Sequence, residues 1–346
     1  MLTTDRRASP IVALSALGFE VTQPSTTETE VQAVGKDGFR VLSRRPAMTT
    51  LVSVTAIHES AAHAEEAIGL ALEEMDRLIA IFSRYDQATP LSVLNDAGQL
   101  DFPPPELAFV LAQALTYHRL SAGAFDPTVA PLIDLFDTCF GGPTPREPTA
   151  AEIEDARGVV GADTIMTSRR RVRLTRRGTS VTLDGIAKGF IVDRMAAMLE
   201  RAGVKRYLVE AGGDIRTGGR KEHRLPWTVA IRDPAGGAAE LGRLPGTISL
   251  VGAAAATSGS YERYYDPTRR FHHIVDAARG ASPSACTSAT VIAPTATAAD
   301  ALATAVLVLG ARDGTALIDR LPGCACLVVG TDGSVTYSQS WKESAQ

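Results

Sequence analysis

The sequence is short of aromatic rings, of surplus basic charge, of long apolar runs and of cysteine. Each shortage narrows what the chain can be. Aromatic residues make up 5% of it, so the core is expected to come from alanine-rich helices packed closely on a sheet. Its 35 Lys and Arg stand against 39 Asp and Glu, a formal net charge of −4. Binding to a phosphate backbone rests on an excess of basic side chains, so no nucleic-acid partner is expected. No apolar run reaches the roughly 20 residues that a spanning helix needs, so no transmembrane span is expected. Of the cysteines at 139, 286, 324 and 326, only Cys324 and Cys326 lie close together. A structural zinc site takes two such pairs, so these are expected to be small buried side chains.

Two phosphate-binding fingerprints are also missing. No Gly-x-x-x-x-Gly-Lys-Ser/Thr occurs, and Gly212-Gly213-Asp214 does not extend to Gly-x-Gly-x-x-Gly. The basic run Arg169–Arg177 reads as the flank of a solvated hairpin.

What is present is a globular chain of 346 residues, 45% hydrophobic and 21% charged, enough for one large domain or two average ones. Residues 1–44 read as an N-terminal extension, 45–335 as the main domain and 336–346 as a tail. Arg6-Arg7 before the apolar stretch Pro10–Phe19 resembles a twin-arginine export signal, although Asp5 precedes the pair and no clear small-x-small cleavage site follows; a disordered extension is the equal alternative. Gln23–Gln32 reads as a linker.

Strands are predicted at Thr50–Ile57, Ser180–Leu183, Arg206–Glu210, Trp227–Asp233, Thr247–Ala255, Tyr261–Tyr265, Phe271–Asp276 and Ala289–Ala293. A hairpin is predicted through Thr164–Leu174 and Ser180–Leu183. Ile68, Leu72, Met75, Ile79 and Phe82 recur at helical spacing. Further helices are predicted at Glu106–Ser121, Ala150–Arg157, Ile186–Arg201 and Ala298–Leu309, with a loop over Phe136–Pro148. Hairpins mixed with crossover helices imply an α+β or mixed α/β fold.

Four stretches could carry chemistry. Asp300 and Thr304, four apart in a predicted helix, share one face. They offer hard oxygens of the kind magnesium takes, but Asp near a helix start and Thr bonded to its own backbone are ordinary structural features. Asp184–Lys188 opens a helix, where N–H groups favour anions, and Lys188 adds a cation; such a lysine can equally be solvated. His272 and His273 are adjacent on a predicted strand and should point to opposite faces, so one of them could serve as a general base. Asp126, within Gly123–Thr128, could bind a ligand or cap its own turn.

Seven stretches stand in a recognisable order: Phe82-Ser83-Arg84-Tyr85 with Ser92 and Asn95, Gly123–Val129, Leu183–Phe190, Gly212–Ile215, Thr257–Gly259 with Tyr261–Arg263, His273–Asp276, and Ala299–Ala305. Together with Arg45-Pro46-Ala47-Met48 they resemble the ApbE-like FAD:protein FMN transferases. The resemblance implies antiparallel hairpins and packed helices around an FAD cleft. It implies that Met48 and Tyr85 contact the flavin end, that Ala124, Phe125 and Asp126 line the FAD site, and that Thr182, Lys188 and Ile274 also touch FAD. Asp300, Thr304 and the Gly185 carbonyl would ligate Mg2+. A Thr or Ser hydroxyl of a target flavoprotein, an electron-transport subunit, would attack phosphorus, and AMP would leave. His273 is the preferred base, with Asp300 as the alternative. Members are commonly exported, which leaves a periplasmic or membrane-associated location open.

The departures from the family pattern are Thr182 where many members have Asp, Asp184 where Gly is common, Thr49 after Met48, and Ala277 after Asp276. Two other functions stay open: magnesium-dependent FAD hydrolysis to FMN and AMP, and non-catalytic FAD binding in flavoprotein maturation.

Overall fold

The computed structural model describes residues 27–231 and 246–341. The export-signal-like segment and the last two residues of the expected strand Trp227–Asp233 lie outside them.

A nine-stranded sheet organises the protein. Its order is β1 (Glu28–Ala33), β2 (Phe39–Ala47), β3 (Thr50–His58), β7 (Arg206–Ala211), β8 (Asp214–Gly218), β11 (Ala254–Gly259), β12 (Cys286–Ala293), β13 (Ala325–Gly330) and β14 (Val335–Tyr337). Every pairing is antiparallel. Alternate residues of a strand face opposite sides. On one side Ala289, Val291, Cys326 and Val328 join the main core with α1 (Ala61–Phe82), α6 (Ala187–Arg201) and α7 (Ala296–Ile318). On the other, Ile292, Ala325 and Leu327 pack with β9 (Trp227–Ala230), β10 (Thr247–Leu250) and Trp341. A three-stranded sheet, β4 (Gln99–Asp101), β6 (Arg171–Leu174) and β5 (Ile165–Thr167), stands apart. The remaining helices are α2 (Pro90–Ala97), α3 (Pro105–Leu120), α4 (Ala130–Gly141) and α5 (Ala150–Gly158).

The expected α1 stripe is in place: Ile68, Leu72, Met75 and Phe82 are buried and Ile79 is partly so. Cys324 and Cys326 both enter the main core, and all four cysteines are buried and unbonded.

Close approach of α6 and α7 depends on Gly189. A Cβ there would lie 2.3 Å from the Ala296 carbonyl oxygen. Asp193 of α6 then accepts the Ala296 and Thr297 backbone N–H groups, both at 2.9 Å, sealing the start of α7. By length and composition α7 could cross a membrane, but it packs inside the fold against β11, β12 and β13.

Several elements differ from expectation. The presumed linker contributes β1, exposed at every residue. Its backbone pairing with β2, not side-chain burial, holds it, so no apolar alternation advertised it. The sheet therefore runs beyond the 45–335 span at both ends: β1 and β2 begin before it, and β14 and Trp341 follow it. Ser180–Leu183 is not a strand. Its backbone is taken by Asn95, whose amide and carbonyl bond Val181 at 2.8 and 2.7 Å, and by the Pro127 carbonyl, which accepts the Thr182 N–H at 2.8 Å. Tyr261–Tyr265 begins in a 3-10 turn (Ser260–Glu262) and continues as a loop, Phe271–Asp276 is a loop, and one bridge, Tyr264 to His272, joins them. Thr247–Ala255 divides at Gly252 (φ 62°) into strands of different sheets. α4 occupies the first part of the expected Phe136–Pro148 loop. α2, capped by Thr89 and started by Pro90, carried too short a pattern to be read.

Candidate active site

The N-terminal turns of α6 and α7 and the start of β8 bring four charged or polar side chains together. Lys188 Nζ lies 3.0 Å from Asp214 Oδ2. Asp300 Oδ2 accepts the Gly189 N–H at 3.0 Å. Thr304 Oγ1 is 3.2 Å from Ser258 Oγ on β11. A Cβ on Gly185 would sit 3.0 Å from Thr304 Oγ1 and 3.2 Å from the Phe125 ring. Glycine at 185 thus keeps open a space that any other residue would fill.

The electrostatics of this floor are unbalanced. Asp214 and Asp300 are 1% and 4% exposed. Burial, and then the Asp214 charge, push the Asp300 carboxyl well above the ordinary carboxylate range, against Lys188 and the Gly189 N–H. Burial likewise raises Asp214 despite Lys188, and Asp214 Oδ2 has no directed hydrogen bond. Burial opposes the charge on Lys188, but Asp214, Asp300 and Glu262 outweigh it and raise that group. Two buried carboxyls therefore share one ammonium. A second cation beside Asp300 would let both ionise. Asp300, Thr304 and Ser258, beside Gly185, supply oxygen only, the donor type of a small hard cation. The residues present thus fit magnesium.

His272 and His273 diverge as expected, although from a loop and not from a strand. His272 Nε2 bonds the Pro283 carbonyl at 2.9 Å, and its N–H donates to Ser282 Oγ, so His272 is structural. His273 is held by its N–H to the Arg263 carbonyl at 3.2 Å, with Nε2 3.9 Å from Glu262. Burial first, then His272, push His273 down to about 4, with Lys188 and Arg263 acting in the same direction. Its ring is neutral near pH 7.

The other predicted residues are placed as follows. Phe125 is buried beside Gly185, with Ala124 preceding it. The Asp126 carboxylate closes its own turn, accepting the Thr128 N–H at 2.7 Å and the Thr128 hydroxyl at 2.5 Å. Thr182 Oγ1 accepts the Asp184 N–H at 3.2 Å. Ile274 is buried in the main core. Tyr85 is 62% exposed, and the Asp184 charge, ahead of desolvation, pushes its hydroxyl to about 12. Met48 and Thr49 form the β2–β3 turn at φ 52° and 60°. Both are left-handed, as a tight hairpin requires, so Thr49 adopts the conformation that glycine would take without strain.

The rim carries ion pairs whose carboxylates are partly exposed. Asp134 and Asp137, three apart on α4, pair with Arg84 and Arg263. The Arg84 guanidinium lies 5.4 Å from the Tyr85 ring centroid and that of Arg263 lies 4.8 Å from the Tyr265 centroid. Asp214, Ser258 and the Asn95 clamp carried no assigned role from sequence. Asp214 and Ser258 are far from Lys188 and Thr304 along the chain, and only the sheet brings them near. Two surface hollows, of about 640 and 370 Å³, lie elsewhere.

A half-buried lysine near two buried carboxyls, beside an open glycine cradle, suits a phosphorylated substrate. The comparisons agree with that class. Residues 48–328 match the ApbE family, and the chain belongs to it. It is 32% identical over 301 residues to an FAD:protein FMN transferase of Haemophilus influenzae, covering 83% of this chain and 84% of the relative. It is 31% identical over 317 residues to one of Treponema pallidum, covering 86% and 83%. The crystal structure of the ApbE protein from Thermotoga maritima superposes with a TM-score of 0.78 at 30% identity, covering 92% of this chain and all of that one. The flavin transferase ApbE from Vibrio cholerae gives 0.74 at 27% identity, covering 92% and 99%.

Proposed function

We propose that this protein is an FAD:protein FMN transferase that moves the FMN half of FAD onto a Thr or Ser hydroxyl of a target flavoprotein. The observation that carries this reading is the convergence of Gly185, Lys188, Asp300 and Thr304 on one floor. Asp300, Thr304 and the Gly185 carbonyl are the residues that would hold magnesium. When bound, magnesium supplies charge neutralisation of the diphosphate and polarisation of a phosphoryl oxygen.

The Lys188 ammonium, beside Asp214 and partly exposed, favours the negative charge that builds on the phosphates as an oxygen nucleophile approaches. His273, neutral at pH 7, takes the proton of the target hydroxyl at Nε2, and Glu262 nearby favours the imidazolium that results. The hydroxyl oxygen forms a bond to the FMN phosphorus. The bridging P–O bond breaks, and AMP leaves with the electron pair. Tyr85 and Met48 are assigned to the flavin end, and Ala124, Phe125, Asp126, Thr182 and Ile274 to the walls of the FAD site. An electron-transport subunit is the expected acceptor class.

The test incubates the protein with FAD, magnesium and an acceptor domain that carries a flavinylatable Thr. Covalent flavin fluorescence on a denaturing gel, lost when magnesium is omitted, is the expected result. FMN and AMP released without acceptor would show hydrolysis instead. FAD binding with no AMP under any condition would show a carrier.

A further inference from the structure

The basic run forms a surface that flavin transfer does not use. The outer face of the three-stranded sheet carries Gln99, Asp101, Met166, Arg171 and Arg173, while Leu100, Val172 and Leu174 turn inward. Asp101 is committed to Arg171. Among the described residues Arg169, Arg170 and Arg173 have no ion-pair partner, and all three are exposed. Arg169 and Arg170 form the β5–β6 turn.

Two apolar side chains stand among these guanidiniums. Phe102, directly after β4, is 79% exposed, and Met166 is 61% exposed. Phe102 is not a loose tip. Its N–H donates to the Arg170 carbonyl at 2.7 Å and its φ is 49°, a left-handed value that costs a bulky residue energy. The turn therefore holds the phenyl ring outward beside the arginine corner. In a chain of net charge −4, this concentration of unpaired arginine is local.

We propose that this face docks on an anionic lipid bilayer, with Arg169, Arg170 and Arg173 on headgroup phosphates and Phe102 and Met166 entering the interfacial layer. A face bearing both kinds of side chain matches a lipid interface, which accepts cations and rings at the same depth. An acidic protein would pair the arginines but would need a hollow shaped for Phe102. Each basic residue near an anionic bilayer strengthens partition roughly fivefold. The β6 strand continues through the Asn95-clamped segment to Gly185, so docking here would set the orientation of the active site towards a membrane-borne acceptor.

The test is co-sedimentation of the full chain with phosphatidylcholine vesicles, pure or with a quarter of the lipid replaced by phosphatidylglycerol. The wild type should pellet with the anionic vesicles only, and added sodium chloride should release it. The triple variant Arg169→Glu, Arg170→Glu, Arg173→Glu should lose roughly a hundredfold in partition, three residues at about fivefold each. Phe102→Gly should lose several-fold, and because glycine takes that φ freely its melting temperature should hold. Transfer to a soluble acceptor should be unchanged in both variants. Equal partition of wild type and triple variant, or no preference for anionic lipid, would overturn the proposal. Capture of soluble polyglutamate without vesicle binding would also overturn it, in favour of an acidic protein.

Discussion

The floor of the site and its rim both carry paired charges, but in different media. On the floor, Asp214 and Asp300 are 1% and 4% exposed and depend on Lys188 and backbone N–H groups. At the rim, the side chains of Asp134 and Asp137 are 57% and 34% exposed, and each pairs with one arginine. Water reaches the rim carboxylates but hardly reaches those of the floor. The difference separates two buried carboxyls that share one ammonium from partly exposed carboxylates that each pair with an arginine. It also explains why the floor has an unmet demand for positive charge and the rim does not.

Four changes test that contrast, from the largest effect down. Asp300→Asn keeps an oxygen for the Gly189 N–H but removes the ionisable ligand. Transfer should fall about a thousandfold, equivalent to about 4 kcal/mol, while urea denaturation without magnesium shows stability unchanged or slightly higher. Full activity in this variant would remove Asp300 from the chemistry. Lys188→Met leaves two buried carboxyls without their ammonium and should cost about 3 kcal/mol of stability, most of it recovered by adding Asp214→Leu. A loss as small as that of a surface pair would mean that the floor is not a coupled unit.

His273 gives a pH-dependent case. Its folded value near 4 lies below the ordinary 6.5, so the unfolded chain binds the proton first as pH falls. Its contribution is present above pH 6.5 and is lost towards pH 4. At pH 5 denaturant titration should show His273→Asn losing about 1–2 kcal/mol less than wild type. A pH profile identical to wild type would contradict the desolvated ring. At the rim, Asp137→Asn should change stability by less than about 1 kcal/mol, and the difference should vanish in high salt. A larger or salt-resistant loss would erase the distinction between rim and floor.

The same contrast decides what could be read from sequence. Asp300 and Thr304 could be placed on one face because they are four apart in one helix, a spacing that survives in any context, whereas their assignment to magnesium came from the resemblance alone. Gly185 and Lys188 were legible as a helix start. Asp214 was visible only as the residue after two glycines, because its partnership with Lys188 depends on β8 passing beneath α6. Ser258 meets Thr304 for a similar reason. Ser180–Leu183 misled because its alternation is that of a strand, while Asn95, far away in the chain, takes its hydrogen bonds. β1 was hidden because an edge strand with every side chain exposed has no apolar period. Local periodicity thus revealed the long helices and the shared face of Asp300 and Thr304, but not α2 or the start of α4. The contacts of Asp214 and Ser258 are made by pairings across the sheet, which no local pattern encodes.

The most direct measurement counts products. With FAD, magnesium and acceptor, AMP released and flavin covalently attached should appear in equal amounts, and both should disappear together in Asp300→Asn. AMP formed in excess of attached flavin, or attachment that continues undiminished in Asp300→Asn, would contradict the account.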